Sequence, residues 1–226
     1  MLLQPPKELS LQKICNWMGC PQQSEIDPQT MQLAQQAAEI VLQSAQPRGI
    51  YKKGCLDWKE TGKIFCDGIL LQGTDIAHHL EGCSHAVWMA VTIGLQIDMQ
   101  IRRLGKDMAL VCAVDAAAGV LVEELANQLQ QQIQDELNSG EYMTSRYSPG
   151  YGDFPIAMQK DVIQYLDASR KIGLTVSGGI MIPRKSITAV CGISDHPVQG
   201  HLAGCNHCIL RDKCNYRKEG KYCGKD

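Results

Sequence analysis

The 226-residue chain has little aromatic surface: 5% of its residues are aromatic, with 2 Phe, 3 Trp and 7 Tyr. So few rings exclude a stacking platform for single-stranded nucleic acid. It has no excess charge of either sign. The 22 basic and 24 acidic residues give a formal net charge of −2, which excludes a general nucleic-acid binder and a polybasic membrane anchor. Long apolar runs are missing too. The longest, Ala86-Val-Trp-Met-Ala-Val-Thr-Ile-Gly94, is far short of the roughly 20 residues that cross a bilayer. Met1-Leu-Leu-Gln-Pro-Pro-Lys7 has no basic stretch leading into an apolar one, as a secretory leader would. These gaps predict a cytoplasmic protein with no nucleic-acid and no membrane partner. Nor is there a G-x-G-x-x-G after a strand, a Walker A loop, an H-E-x-x-H or a G-x-S-x-G. No local signature points to an acid–base pair or an activated nucleophile.

What is present is ordinary globular composition, 44% hydrophobic and 20% charged. At roughly 150 residues per domain, the length predicts one large domain, or one domain with an appendage. Asp27-Pro28 starts an amphipathic helix that runs to about Ala45: Asp caps, and Pro suits the first helical position. Residues 50–72 are β-like, a short helix follows at Thr74–Leu80, and Ala86–Thr92 has the unbroken apolar character of a buried strand. A helix from Leu95 to about Leu104 precedes the longest one, about Lys106–Asn138. There Ala117, Leu121, Leu125, Leu129, Ile133 and Leu137 recur every fourth residue. Residues 139–154 form a long Gly- and Pro-rich loop. A helix from Pro155 to about Arg170 comes next, then strands at Ile180–Pro183 and Ser186–Ser194. Helices and strands do not alternate regularly, so the expected class is α+β: a mixed or antiparallel twisted sheet with flanking helices. The predicted organisation is an N-terminal helical segment (1–50), the α+β domain (51–198) and a Cys-rich tail (199–226).

Three places carry chemistry. In Arg146-Tyr-Ser-Pro-Gly-Tyr151, Pro149-Gly150 sets a tight turn that can aim successive backbone N–H groups at an anion. Arg146 adds a bidentate donor for a carboxylate, and Tyr151 an aromatic face with a polar tip. Glu123-Glu124 lies in the long helix between Leu121 and Leu125. One of these acids therefore borders the apolar seam, where it can hold an amine. The third is the tail. Of the 11 cysteines, four fall in residues 205–226, as Cys205-x2-Cys208-x5-Cys214-x8-Cys223. Four thiolates suffice for zinc or a [4Fe–4S] cluster, with His207 inside the knuckle as a substitute ligand. The spacing fits neither the paired-knuckle zinc signature nor the ferredoxin run. His78-His79 reads as the surface of a short helix.

The segments Arg146–Pro155, Gln159-Lys-Asp161, Lys171-Ile-Gly-Leu174 and Met181–Ile193 together resemble the activation (reactivation) domain of cobalamin-dependent methionine synthase. Upstream, Ile69–Gly73, His79–Cys83, Val91–Gly94 and Asp115–Gly119 resemble a free-standing form of that domain, and the likeness spans about 65–195. It implies S-adenosylmethionine as ligand, held by Arg146, the backbone at Ser148, Gly150 and Tyr151, with Glu123 as the acid on the preceding helix. The family's further Asp from its N-terminal part has no placed counterpart; Asp57 stands too close in sequence to Arg146. The implied activity is reductive methylation of a cobalamin carried by a partner, methionine synthase or another corrinoid protein. Flavodoxin or ferredoxin would supply the electron, and the Cys205, Cys208, Cys214 and Cys223 tail would hold the cluster or zinc. Two alternatives stay open: a docking module, and an iron–sulfur electron-transfer activator of a different corrinoid methyltransferase.

Overall fold

The structure, a computed structural model, describes residues 1–20, 26–59 and 63–198. Its elements in chain order are α1 (Leu11–Trp17), α2 (Pro28–Ser44), β1 (Arg48–Trp58), β2 (Ile64–Cys66), β3 (Ile69–Leu71), α3 (Thr74–His79), β4 (His85–Thr92), α4 (Leu95–Arg103) and α5 (Met108–Asp135). Then follow β5 (Tyr142–Met143), a 3-10 turn (Ile156–Met158), α6 (Gln159–Leu166), α7 (Ala168–Ile172), β6 (Thr175–Ser177), β7 (Ile180–Ile182) and β8 (Ser186–Ser194). The strands form a six-stranded sheet in the order β3-β2-β1-β4-β8-β5 and a separate β6–β7 ribbon. The β1–β2, β2–β3, β5–β8 and β6–β7 ladders are antiparallel. This is the expected α+β class. No helix among the described residues is long and apolar enough to cross a membrane.

The chain divides into two compact units. The first comprises Met1–Tyr51, Met89–Glu136 and Ile163–Thr188; the second comprises Lys52–Trp88, Leu137–Val162 and the chain from Ala189 onward. In the first unit, α1, α2 and α4 pack on α5. Asp27 caps α2 as the sequence predicts, accepting from the Thr30 N–H at 2.9 Å, with Pro28 at the first helical position. The buried face of α5 carries Ala117, Leu121, Leu125, Leu129 and Ile133. Its first half is buried almost all round, from Ala116 to Val122, so small side chains are needed for helices to approach. The stripe's sixth member, Leu137, lies past the helix end at Asp135.

The predicted 155–170 helix is broken. Pro155 opens only a 3-10 turn, α6 ends at Leu166, and Asp167 takes a left-handed φ of 52°. Asp tolerates that conformation better than most residues. Here its carboxylate accepts from the Arg170 Nε at 2.7 Å, and its carbonyl starts α7 by accepting from the Lys171 N–H at 3.0 Å. The buried residues change phase at the joint: Val162, Ile163 and Leu166 in α6, then Ala168 and Ile172 in α7.

Candidate functional site

The second unit holds the Arg146–Tyr151 loop, and β8 positions it. β5 pairs with β8 as Tyr142↔Ser194 and Met143↔Ile193, and an isolated bridge joins Tyr147 to Val190. From Met143 to Tyr147 is four steps; from Val190 to Ile193 is three. Residues 144–146 therefore face two residues, 191 and 192, and the extra one makes a bulge. A bulge turns a side chain out of the sheet's alternation, and bulges gather beside functional sites. Arg146 is the last residue of this one.

The bulge is pinned by a buried polar network. The Thr144 N–H donates to the Gly192 carbonyl at 2.9 Å, and the Gly192 N–H returns a bond to Thr144 Oγ1 at 2.8 Å. His79 Nε2 lies 2.9 Å from the Ser145 carbonyl and 3.0 Å from Thr144 Oγ1. A carbonyl only accepts, so Nε2 carries the proton. His79 is fully buried, which corrects the reading of His78-His79 as helix surface. A sequence signal was present: His79 shares the Ile76 and Leu80 face of α3, whereas His78 does not.

After Tyr147 the chain makes two linked turns. Pro149 and Gly150 (φ +100°) form the first, closed by the Tyr151 N–H to the Ser148 carbonyl at 3.0 Å. That backbone, with Gly at the third position, is a type II turn. The second turn closes with the Phe154 N–H to the Tyr151 carbonyl at 2.9 Å, and the Gly150 N–H donates to the Phe154 carbonyl at 2.8 Å. The expected anion cradle is thereby corrected: the amides of Gly150, Tyr151 and Phe154 are spent inside the turns. One amide does meet an anion, the protein's own. The Asp153 N–H donates to Asp75 Oδ2 at 3.0 Å.

Asp153 and Asp75 tie the loop to α3. Gly73 precedes that helix and has no side chain to cap it. Asp153 supplies the cap from elsewhere in the chain: Oδ2 accepts from the Thr74 N–H at 2.7 Å and its hydroxyl at 2.6 Å, and Oδ1 from the Asp75 N–H at 2.9 Å. These bonds, the Thr74 hydroxyl foremost, hold the Asp153 carboxyl below its usual pKa. Sequence reasoning missed both acids. The usable signal was a helix start without its own capping residue.

A ring cluster completes the site. Buried Tyr147 packs its ring 4.8 Å from His79, 5.7 Å edge-on from Tyr151 and 6.2 Å from Phe154. Burial, and then the Asp75 and Asp153 carboxylates, push the Tyr147 phenol up to about 12. Tyr151 keeps 48% of its surface exposed. Across the bulge, burial pushes the Cys191 thiol up to about 12, and Arg146 is the charge that opposes the shift.

The structure thus gathers Arg146, Ser148, Gly150 and Tyr151 in one loop. Glu123 is half-buried in α5, in the first unit. Asp57 is exposed and pairs with Lys59 Nζ at 2.5 Å. Cys205, Cys208, Cys214 and Cys223 lie outside the described residues; among those described, no three His, Cys, Asp or Glu side chains group as metal ligands.

No family model matches the chain, and no curated protein does. Among solved structures it is similar to one described as the MetH reactivation domain bound to AdoHcy. The two are 15% identical with a TM-score of 0.61, over 97% of this chain and 88% of that one. At that identity the likeness is one of fold, and the chain has the fold of that domain.

Proposed function

We propose that the chain binds S-adenosylmethionine and serves the reductive methylation of a cobalamin carried by a corrinoid protein, methionine synthase in the first instance. One observation carries this reading: a bulge-borne Arg146-x-x-Pro-Gly-Tyr151 loop stands in a chain with the fold of a domain that binds AdoHcy. AdoHcy is what S-adenosylmethionine becomes when it gives up its methyl group.

In the reaction, one electron from a partner such as flavodoxin or ferredoxin reduces cob(II)alamin to cob(I)alamin. The cobalt then takes the sulfonium methyl, the carbon–sulfur bond breaks, and S-adenosylhomocysteine leaves. Cobalt and sulfonium provide the chemistry, so the protein's task is to align and shield. That division of labour agrees with a chain that shows no acid–base or nucleophile signature. Arg146 clamps the ligand carboxylate, and the bulge fixes its direction. The turn through Ser148 and Gly150 shapes the wall, and Tyr151, half-exposed beside the rigid Tyr147 ring, faces the corrinoid. Glu123 takes the ligand's amino group, a role that rests on the sequence resemblance. The tail cysteines are assigned a metal or cluster. Electron delivery through them requires iron, so anaerobically purified protein with stoichiometric zinc and no iron would refute that part alone.

Calorimetric titration of S-adenosylmethionine into the wild type and into Arg146→Ala tests the reading. A charge-assisted hydrogen-bond pair contributes about 1.5–3 kcal/mol, so affinity should fall roughly 10- to 100-fold, with the melting temperature little changed. Equal affinity in the two proteins would remove Arg146 from the site. Glu123→Gln tests the amino-group role in the same titration.

A further inference from the structure

The C-terminus of α1 holds two thiols in a fixed relation that the functional reading does not use. The Cys20 N–H donates to the Cys15 carbonyl at 3.0 Å, and the Gly19 N–H donates to the Asn16 carbonyl at 3.0 Å. Gly19 has φ +98°. This six-to-one and five-to-two pair of bonds, with a left-handed Gly between, is a Schellman motif. It sets the third residue from the helix end against the second residue beyond the cap, a contact usually made by two apolar side chains. Here both positions are cysteine.

The motif also fixes their separation. Standard bond lengths on either side of a 3.0 Å hydrogen bond keep the two α-carbons within about 7 Å even if the path were straight. Bond angles shorten that into the range of about 4.4–6.8 Å that a disulfide spans. The two thiols differ in access: Cys15 is fully buried, whereas Cys20 is half-exposed. Burial, and after it the neighbouring Cys20, push the Cys15 thiol above its usual pKa, as expected for two sulfurs close together.

We propose that Cys15 and Cys20 form a thiol-oxidation site, closing to an intramolecular disulfide on reaction with a small-molecule disulfide. The Cys20 thiolate attacks one sulfur of the small disulfide, forms a mixed disulfide and expels a thiolate, which takes up a proton. The Cys15 thiolate then attacks Cys20 Sγ, forms the Cys15–Cys20 bond and expels the second small thiol. Two protein thiols lose two hydrogens, and the small disulfide becomes two thiols. The motif favours the second step over release of a stable mixed disulfide, because the backbone spacing keeps the Cys15 sulfur within disulfide reach of Cys20. The site does not depend on S-adenosylmethionine binding.

The chain suits a direct test. No Lys or Arg falls between Lys13 and Arg48, so trypsin releases residues 14–48 as one peptide whose cysteines are Cys15 and Cys20. The full-length protein is incubated with glutathione disulfide, quenched in acid, alkylated in denaturant, digested and weighed. The expected peptide is unalkylated and two hydrogens lighter, and it becomes doubly alkylated after reduction. In Cys15→Ser, glutathione should stay on Cys20. In Cys20→Ser, Cys15 should remain unreacted and alkylatable. A wild-type peptide that stays doubly alkylated, or that keeps glutathione on Cys20 beside an alkylated Cys15, would overturn the proposal. So would Cys15 in Cys20→Ser taking up glutathione as fast as Cys20 does in the wild type.

Discussion

Two glycines, one in each unit, show how differently these regions are built. Gly119 lies in the buried half of α5, where an added methyl would come 2.4 Å from an atom of the Trp17 ring. Gly152 lies in the turn after Tyr151, at φ +51°, where the same methyl would come 2.0 Å from Asp75 Oδ2 and 2.7 Å from the Tyr147 hydroxyl. The first glycine makes room for the indole of Trp17, a residue that is 56% exposed and can swing away. The second makes room for a carboxylate held by the Asp153 N–H. Helix packing tolerates adjustment because dispersion contacts are many, small and non-directional. A turn held by a few directional polar bonds does not, because each bond lost leaves a group unsatisfied.

Gly152→Ala should therefore have the largest effect. The left-handed backbone costs a side chain about 1–2 kcal/mol, and displacing Asp75 breaks a charge-assisted bond of about 1.5–3 kcal/mol. A loss of about 2.5–5 kcal/mol in urea-induced unfolding is expected, together with weaker S-adenosylmethionine binding. A near-neutral result would mean that the loop is softer than its hydrogen bonds indicate.

Thr144→Val comes next. The shape is kept, but the buried Gly192 N–H loses its acceptor and His79 a neighbour. About 2 kcal/mol should be lost. The bulge that carries Arg146 should loosen with it, so ligand affinity should fall although Thr144 is assigned no ligand contact. Unchanged affinity beside the stability loss would show that Arg146 is held by other means.

The two regions also differ in how far the sequence revealed them. The α5 stripe, the Asp27 cap and the apolar β4 strand were legible because each is a local pattern: a period, a capping residue or an unbroken apolar run. Even there the boundaries moved, and no Gly or Pro marks the joint at Asp167. The Pro149-Gly150 turn was legible for the same local reason. The bulge, the buried state of His79 and the Asp75–Asp153 pairing were not. They depend on bonds between residues dozens of positions apart, such as Thr74 with Asp153. A sequence shows that α3 lacks its own cap, but not which distant acid supplies one.

Asp153→Asn sharpens the contrast at lower cost. The amide still accepts from Thr74, so only part of the cap is lost, about 1 kcal/mol. The pH dependence is the more specific readout. Because the folded state holds the Asp153 carboxyl below its unfolded pKa, its stabilisation is complete above the unfolded value of about 4. It is lost as pH falls through the folded one. Urea midpoints measured from neutral pH down to about pH 3 should fall less steeply in the variant. Parallel curves would mean that the acid sensitivity lies elsewhere.

Gly119→Ala should have the smallest effect, and it bears most directly on the comparison. An alanine inside a helix gains about 1 kcal/mol over glycine in propensity. Against this, Trp17 must leave its seat on α5, a repacking cost of about 1–3 kcal/mol where the ring is well buried and less here, where it is not. The net change should stay within about 1 kcal/mol, while the Trp17 emission shifts to the red as its ring enters water. If Gly119→Ala instead costs more than Gly152→Ala, the distinction fails. The first unit would then depend on the fit of one ring as strictly as the second depends on its carboxylates, and α1, with its paired thiols, would be fixed to α5 rather than resting on it.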